Sequence, residues 1–139
     1  MAQEHPNWIT ERAKCDMRLL FTDLCRLIRE DVQRIDKESQ NRGWGKNYRI
    51  PVDENTSVIT VDCSHASGTE ECRFELRGNV IHVLSHPGRE YAIRTQWDVE
   101  NIRCQIAVTP PTGDAVIFSH DQLWKVAHYI LEPYFFPAS

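Results

Sequence analysis

The hydrophobic pattern of this chain changes its period once, and that change restricts the fold more than any other feature of the sequence. Across residues 13–35 apolar side chains recur at steps of three and four, which is typical of one face of an amphipathic α-helix. Asn7 or Thr10 can cap the start of this helix, and the run Asn41-Arg42-Gly43 ends it. We expect a single helix of about 30 residues, roughly 45 Å long. The apolar stripe consists of Ala13, Met17, Leu20, Phe21, Leu24, Leu27, Ile28, Val32 and Ile35.

From Ile59 onward apolar and polar side chains alternate, which is the pattern of a β-sheet with one buried face. Turn signals such as Gly78-Asn79 and residues 110–114 leave only short connections, so we expect the strands to pair antiparallel. The stretch 40–56 before the first strand is predicted to be an unusually long loop. About six short strands are predicted, at residues 59–63, 72–77, 80–84, 90–97, 102–108 and 115–118.

A second amphipathic helix is predicted near the C-terminus. Ser119 is followed three residues later by Gln122, which is the capping-box pattern, and we expect the helix to end at Pro133. The aromatic tail that follows either packs against the first helix or forms an exposed patch that pairs with a second copy or a partner. This tail consists of Tyr134, Phe135 and Phe136.

The element order α-β-β-β-β-β-β-α predicts an α+β fold. We expect a two-layer sandwich, in which the long N-terminal helix and the C-terminal helix cover one face of an antiparallel sheet of about six strands. The opposite face of the sheet is expected to be open. A length of 139 residues, with 41% apolar and 26% charged residues, fits a single α+β domain spanning residues 1–139.

This order of elements resembles the frataxin architecture, and the junction Ile117-Phe118-Ser119-His120-Asp121 is similar to the strand-to-helix junction of that family. The resemblance implies a frataxin-like sandwich. Frataxins also carry an acidic ridge on the first helix and strand that binds iron and the sulfur-transfer machinery. Here the first helix has seven acidic and seven basic residues, so that pattern is absent. We therefore retain the analogy for the fold and not for the function.

Charge and cysteine content restrict the partners and the compartment. A net charge of −4 argues against a general nucleic-acid binder. The start MAQEHPNW lacks the features of a secretory signal, and no apolar run is long enough to span a bilayer, so no membrane association is expected. An odd number of cysteines without framework spacing predicts reduced thiols in a cytoplasmic protein. These cysteines are Cys15, Cys25, Cys63, Cys72 and Cys104.

The open sheet face is the first candidate binding surface, because strand parity places several arginines on it. Guanidinium groups bind carboxylates and phosphates through bidentate contacts, so an acidic protein partner or a small anionic ligand fits this surface. The alternative is that the arginines pair with Glu75 and Glu90 on a solvated face. The candidate residues are Arg73, Arg77, Arg94 and Arg103.

The loop around Gly43-Trp44-Gly45 is the second candidate. Flexible backbone, aromatic rings and cations together suit a planar or anionic ligand or a nucleic-acid base. The alternative is that Trp44 covers the end of the core. The candidate residues are Arg42, Trp44, Lys46 and Tyr48.

The third candidate is a set of cysteines and histidines that could hold zinc or supply a thiol nucleophile. Parity, however, places Cys63, Cys72 and Cys104 on the core face, where a thiol packs as a small apolar group. The sequence contains no established catalytic or nucleotide-binding motif, and no cofactor is predicted. The favoured prediction is a binding or protein-interaction module without catalytic activity. The alternative is a small metalloprotein or Cys/His enzyme that uses Cys63, His65, Cys72, His82 and His86.

Overall fold

The computed structural model describes residues 5–52 and 55–137. It confirms the α+β class, with helices at both ends of the described chain and an antiparallel sheet between them. Within these ranges the sheet has seven strands, one more than predicted. The helices are α1 (Trp8–Ala13), α2 (Met17–Arg42) and α3 (Leu123–Phe135). The strands are β1 (Asn47–Arg49), β2 (Val58–His65), β3 (Gly68–Arg77), β4 (Val80–Ser85), β5 (Arg89–Asp98), β6 (Arg103–Thr109) and β7 (Val116–Ser119).

The prediction of one unbroken N-terminal helix is wrong, because the chain interrupts the helix between α1 and α2. Asp16 is the N-cap of α2, and its Oδ1 accepts hydrogen bonds from the backbone N–H groups of Arg18 (2.9 Å) and Leu19 (3.4 Å). A capping aspartate satisfies amides of the first turn and so stabilises the start of a new helix. At the other end Gly43 adopts the left-handed conformation (φ 66°), which ends α2 as predicted.

The extra strand, β1, lies inside the predicted loop 40–56. It pairs antiparallel with β2, with Tyr48 opposite Cys63. The backbone N–H of Tyr48 donates to Asp36 Oδ1 at 2.9 Å, which ties the strand to α2. A strand of only three residues is too short to display an alternating pattern, so periodicity could not reveal it.

The strands form a simple meander in the order β1 to β7, and α2 and α3 pack on one face of it. Phe74, Ile81, Ile93 and Ile106 are fully buried on the helix-facing side of the sheet. The other face is open, as predicted, and Leu84 on it keeps 52% of its surface exposed.

The C-terminal helix differs from the prediction at both ends. The Ser119 hydroxyl contacts the Asp121 carboxylate rather than capping the helix, and a 3₁₀ turn at His120–Gln122 precedes α3. The capping-box prediction is therefore wrong. The helix also continues through Pro133 to Phe135. Proline lacks the N–H that would donate to the carbonyl four residues earlier. Because Pro133 lies in the last turn, α3 loses only this one backbone hydrogen bond and still continues to Phe135.

The aromatic tail closes the core. The Tyr134 hydroxyl lies within hydrogen-bonding distance of the carbonyls of Val61 (3.1 Å) and Glu70 (2.9 Å). The Phe135 ring meets the Tyr48 ring edge-to-face, with centroids 5.3 Å apart. Tyr134 and Phe135 are buried, so within the predicted aromatic trio only Phe136, 58% exposed, is accessible to a second copy.

Two of the cysteines form a disulfide, Cys15–Cys104, which links the α1–α2 junction to β6 across 89 residues of sequence. The prediction that all five thiols are reduced is therefore wrong. Sequence spacing could not find the pair, because the sheet brings the two positions together. The predicted cytoplasmic location rested on reduced thiols, whereas disulfides are typical of oxidising compartments. The location therefore stays a prediction that the cysteines no longer support. Among the described residues no helix is both long and apolar enough to cross a membrane.

Candidate functional site

The four arginines of the open sheet face do not converge. Arg73 and Arg77 both approach Glu75 Oε2, at 3.7 and 2.9 Å, and the hydrogen bond from Arg77 holds the pKa of Glu75 below its usual value. Arg103 lies 3.9 Å from Asp98. For Arg94 no ion pair occurs within residues 5–52 and 55–137. Three of the four arginines therefore have an acidic neighbour, but only Glu75 of the two expected acids pairs with them; Arg103 pairs with Asp98, and no ion pair of Glu90 occurs among the described residues.

A shallow concavity of about 700 Å³ lies on this face. Arg73 and Arg77 line it together with His82, but Arg94 and Arg103 do not. The surface thus combines opposite charges and offers a ligand no cluster of unpaired cations.

The Trp44 loop lies at the end of α2, on the helix side of the molecule. The Trp44 ring packs edge-to-face on Phe136, with centroids 6.0 Å apart, and remains 40% exposed. Arg42 Nε is 2.7 Å from Glu38 Oε2 on the same helix. Trp44 therefore contacts another exposed aromatic residue rather than the buried core, and the alternative that it covers the end of the core stays a prediction.

The remaining two candidates of this loop serve its structure. Ser39 Oγ donates to the Lys46 carbonyl at 2.6 Å. Tyr48, which we predicted to bind a ligand, is only 4% exposed, and its hydroxyl is 3.4 Å from the Phe135 carbonyl. Alternation along β1 points this side chain into the core, so we leave Tyr48 out of the site.

A groove with a largely apolar floor lies between α2 and α3 and has a volume of about 540 Å³. Sequence reasoning missed it, because it arises only when the two helices pack side by side. Its clearest sequence signal is the pair Trp124 and His128, one turn apart beside the apolar stripe of α3. The apolar lining consists of Leu27, Ile35, Trp124, Leu131, Phe135 and Phe136.

The rim of the α2–α3 groove is predominantly acidic. Four acidic residues line it against a single arginine, Arg34, and one histidine, His128. Each of these acids has a basic neighbour. Arg34 is 3.7 Å from Asp31, and His128 is 2.9 Å from Glu132. Just outside the lining, Arg26 is 3.4 Å from Glu30 and Arg42 is 2.7 Å from Glu38. Partial burial raises the pKa of Asp31 above its usual value, although Arg34 opposes this. The acidic residues are Glu30, Asp31, Glu38 and Glu132.

The groove is long enough for about three helical turns. Asp31 interacts electrostatically with His128 near one end, and Trp44 beyond the end of α2 contacts Phe136 beyond the end of α3. The two helices therefore run in the same direction. From Trp124 to Phe136 a helix rises by about 18 Å, which sets the groove length.

The cysteines and histidines of the third candidate are divided between the two faces of the sheet. His65 Nε2 and His86 Nε2 both approach Glu70 Oε1, at 3.1 and 3.5 Å. The Ser67 N–H donates to His65 Nδ1, so a neutral His65 carries its proton on Nε2. His82, in contrast, lies on the open face opposite Glu75. Among the described residues no group of three or more His, Cys, Asp or Glu side chains could hold a metal ion.

The three free thiols are buried, which does not favour a nucleophile. Burial raises the pKa of Cys25 to about 11 and that of Cys72 to about 12. Burial also raises the pKa of Cys63. Because the thiolate is the reactive form, these cysteines are suited to packing rather than to catalysis.

Their raised pKa values predict a loss of stability at alkaline pH. In the unfolded chain the thiols lose their protons above the ordinary pKa of 9.0. In the folded chain Cys25 and Cys72 keep theirs up to about pH 11 and about pH 12. The free energy of unfolding should therefore fall as pH rises through 9, and well above pH 9 the slope approaches about 1.4 kcal/mol per pH unit for each thiol. Urea unfolding between pH 8 and 10 measures the onset of this fall. Cys72→Ala should make the slope shallower, and an identical slope in the variant would refute the assignment.

Comparison with protein-family models, with curated proteins and with solved structures finds no match for this chain. The resemblance to frataxins rests on the order of elements and on the junction Ile117-Phe118-Ser119-His120-Asp121, and none of these comparisons adds to it. A functional conclusion has to come from the surfaces described above.

Proposed function

We propose that this chain is a protein-interaction module without catalytic activity, and that its α2–α3 groove binds a basic amphipathic helix of a partner protein. The observation that carries the proposal is the combination of an apolar floor and an acidic rim in one groove. The exposed sheet face does not carry it, because its four candidate arginines do not line one concavity: Arg94 and Arg103 lie outside the one that Arg73 and Arg77 line.

The apolar contribution comes from large side chains that the fold leaves accessible. Trp124 is 56% exposed and Phe136 is 58% exposed, and both border the groove. Trp44 extends this aromatic surface through its contact with Phe136. Aromatic side chains bordering a pocket are typical of the residues that dominate binding energy at protein interfaces.

The charges select the partner. Asp31 is partly desolvated, and its main cationic neighbour Arg34 is 3.7 Å away and mostly exposed, while His128 adds a smaller attraction. A lysine or arginine of the partner would add the attraction that Asp31 lacks. An amphipathic helix with apolar residues at i, i+3, i+4 and i+7 matches a groove of about three turns.

Titration with a synthetic peptide tests this proposal. The probe is a helical peptide of about 16 residues, with leucines at the helical spacing and lysines elsewhere. We expect saturable binding by calorimetry, and we expect the double variant Glu30→Lys, Glu38→Lys to weaken it at least about tenfold through charge reversal. The matched control is Asp23→Lys, Glu100→Lys, which changes the net charge equally at exposed positions outside the groove.

Two outcomes would contradict the proposal. One is equal binding of a peptide in which glutamates replace the lysines. The other is an equal loss of affinity in the control variant, which would indicate attraction to the net charge rather than to the groove. A peptide of the same composition with a scrambled order, which destroys the apolar face, should bind weakly.

A further inference from the structure

A second depression lies on the other side of α3, between this helix and the sheet, and has a volume of about 720 Å³. We call it the Arg89 cavity. Its walls are largely aromatic, and its polar groups are mostly cationic or neutral. It is lined by Arg89, Phe118, Trp124, Lys125, His128, Tyr129, Glu132, Pro133 and Phe136.

Arg89 occupies an unusual position for a cation. It begins β5 opposite Ser85, on the same helix-facing side of the strand as the buried residues Tyr91 and Ile93. Its Nη1 has almost no solvent-exposed surface and no hydrogen-bond partner among residues 5–52 and 55–137. A buried N–H of a charged group without an acceptor is energetically costly, so the guanidinium gains from an acceptor in the cavity once the partly exposed Arg89 side chain turns Nη1 towards it.

The other charged groups of the cavity favour an anion. Lys125 adds a second positive charge, and its Nζ lies 5.7 Å from the centre of the Trp124 ring. The single acid of the lining, Glu132, is 2.9 Å from His128 Nε2. Within residues 5–52 and 55–137 no carboxylate forms an ion pair with the Arg89 guanidinium.

The aromatic walls of the cavity favour a ligand in which the anionic group is attached to an apolar or aromatic group. Phe118 and Tyr129 contact each other with ring centroids 5.8 Å apart and form one side of the cavity. Trp124 and Phe136 are the exposed aromatic residues of its border. A small ligand would lie between aromatic rings and direct its charged end towards Arg89.

We propose that the Arg89 cavity binds a small aromatic or apolar monocarboxylate, whose carboxylate accepts hydrogen bonds from the Arg89 guanidinium. Arginine binds carboxylates through two parallel N–H donors, which suits a planar group. This binding needs no protein partner. The cavity shares Trp124, His128, Glu132 and Phe136 with the α2–α3 groove, and Arg89, which lines only the cavity, distinguishes the two sites.

The test uses phenylacetate and its neutral analogue phenylacetamide, titrated separately into the full chain. The indole N–H signal of Trp124 reports binding, because Trp124 lines the cavity, and the signals of Trp8 and Trp97, which do not line it, are internal controls. We expect phenylacetate to bind at least about tenfold more tightly than phenylacetamide. Arg89→Gln should abolish this preference, and the control Arg94→Gln on the open face should retain it.

Specific results would overturn the proposal. These are equal affinity of the unmodified chain for the two probes, the same preference in Arg89→Gln, or the absence of a saturable shift of the Trp124 signal. The comparison of the two probes uses the unmodified chain, so it decides the matter even if Arg89→Gln does not fold. Glu30→Lys, Glu38→Lys should bind phenylacetate normally, which separates this site from the peptide groove.

Discussion

Replacement of Phe74 by alanine is expected to lower the free energy of unfolding by about 3–5 kcal/mol. Phe74 is fully buried in the central part of the sheet, on the side covered by the helices. Its removal leaves a cavity between the sheet and the helix layer, because neighbouring strands cannot move together to fill it. Urea denaturation followed by circular dichroism measures the change.

The matched control is Leu84→Ala on the adjacent strand. Leu84 lies on the open face and is 52% exposed, so its truncation should change the free energy of unfolding by less than about 0.5 kcal/mol. A similar loss in both variants would show that the second face of the sheet is also covered. That result would contradict the two-layer fold with one open face.

Loss of the Cys15–Cys104 disulfide is the second large effect that we expect. The bond closes a long loop, since the two cysteines are 89 positions apart in the sequence. A crosslink of this span restricts the unfolded chain strongly, so the double variant Cys15→Ala, Cys104→Ala should lose about 2–5 kcal/mol of unfolding free energy. Urea unfolding under oxidising conditions measures the difference.

Two controls accompany this prediction. A reducing agent should destabilise the unmodified chain and leave the double variant unchanged. A thiol titration of the denatured, unreduced chain should count the three free cysteines, Cys25, Cys63 and Cys72. A count of five thiols would contradict the disulfide directly.

Those parts of the fold that depend on long periodic patterns could be predicted from the sequence. The stripe that includes Leu24 and Ile28 identified the helix that covers the sheet, and alternation around Phe74 identified the buried face. The break before Asp16 could not be predicted from periodicity, because Ala13 and Met17 continue the same stripe on both sides of it. Its cause is local capping, which a periodic pattern does not record.

The candidate sites were harder to predict, because they depend on which elements pack together. The spacing of Trp124 and His128 was visible, but the acids that join them in the groove lie on α2, far away in sequence. Arg89 directly follows the turn at residues 86–88, and only the register of β5 places it on the helix-facing side. Strand parity did place the four arginines on the open face, but it could not show that Glu75 contacts two of them.

The central claim is that the α2–α3 groove, rather than the open sheet face, is the binding surface. A methyl NMR spectrum of the chain, recorded with and without the leucine–lysine peptide, tests this most directly. We predict that the methyl signals of Leu27, Ile35 and Leu131 shift, since these residues line the groove. Shifts confined to Leu84 and Ile117, which are exposed on the open face, would contradict the account.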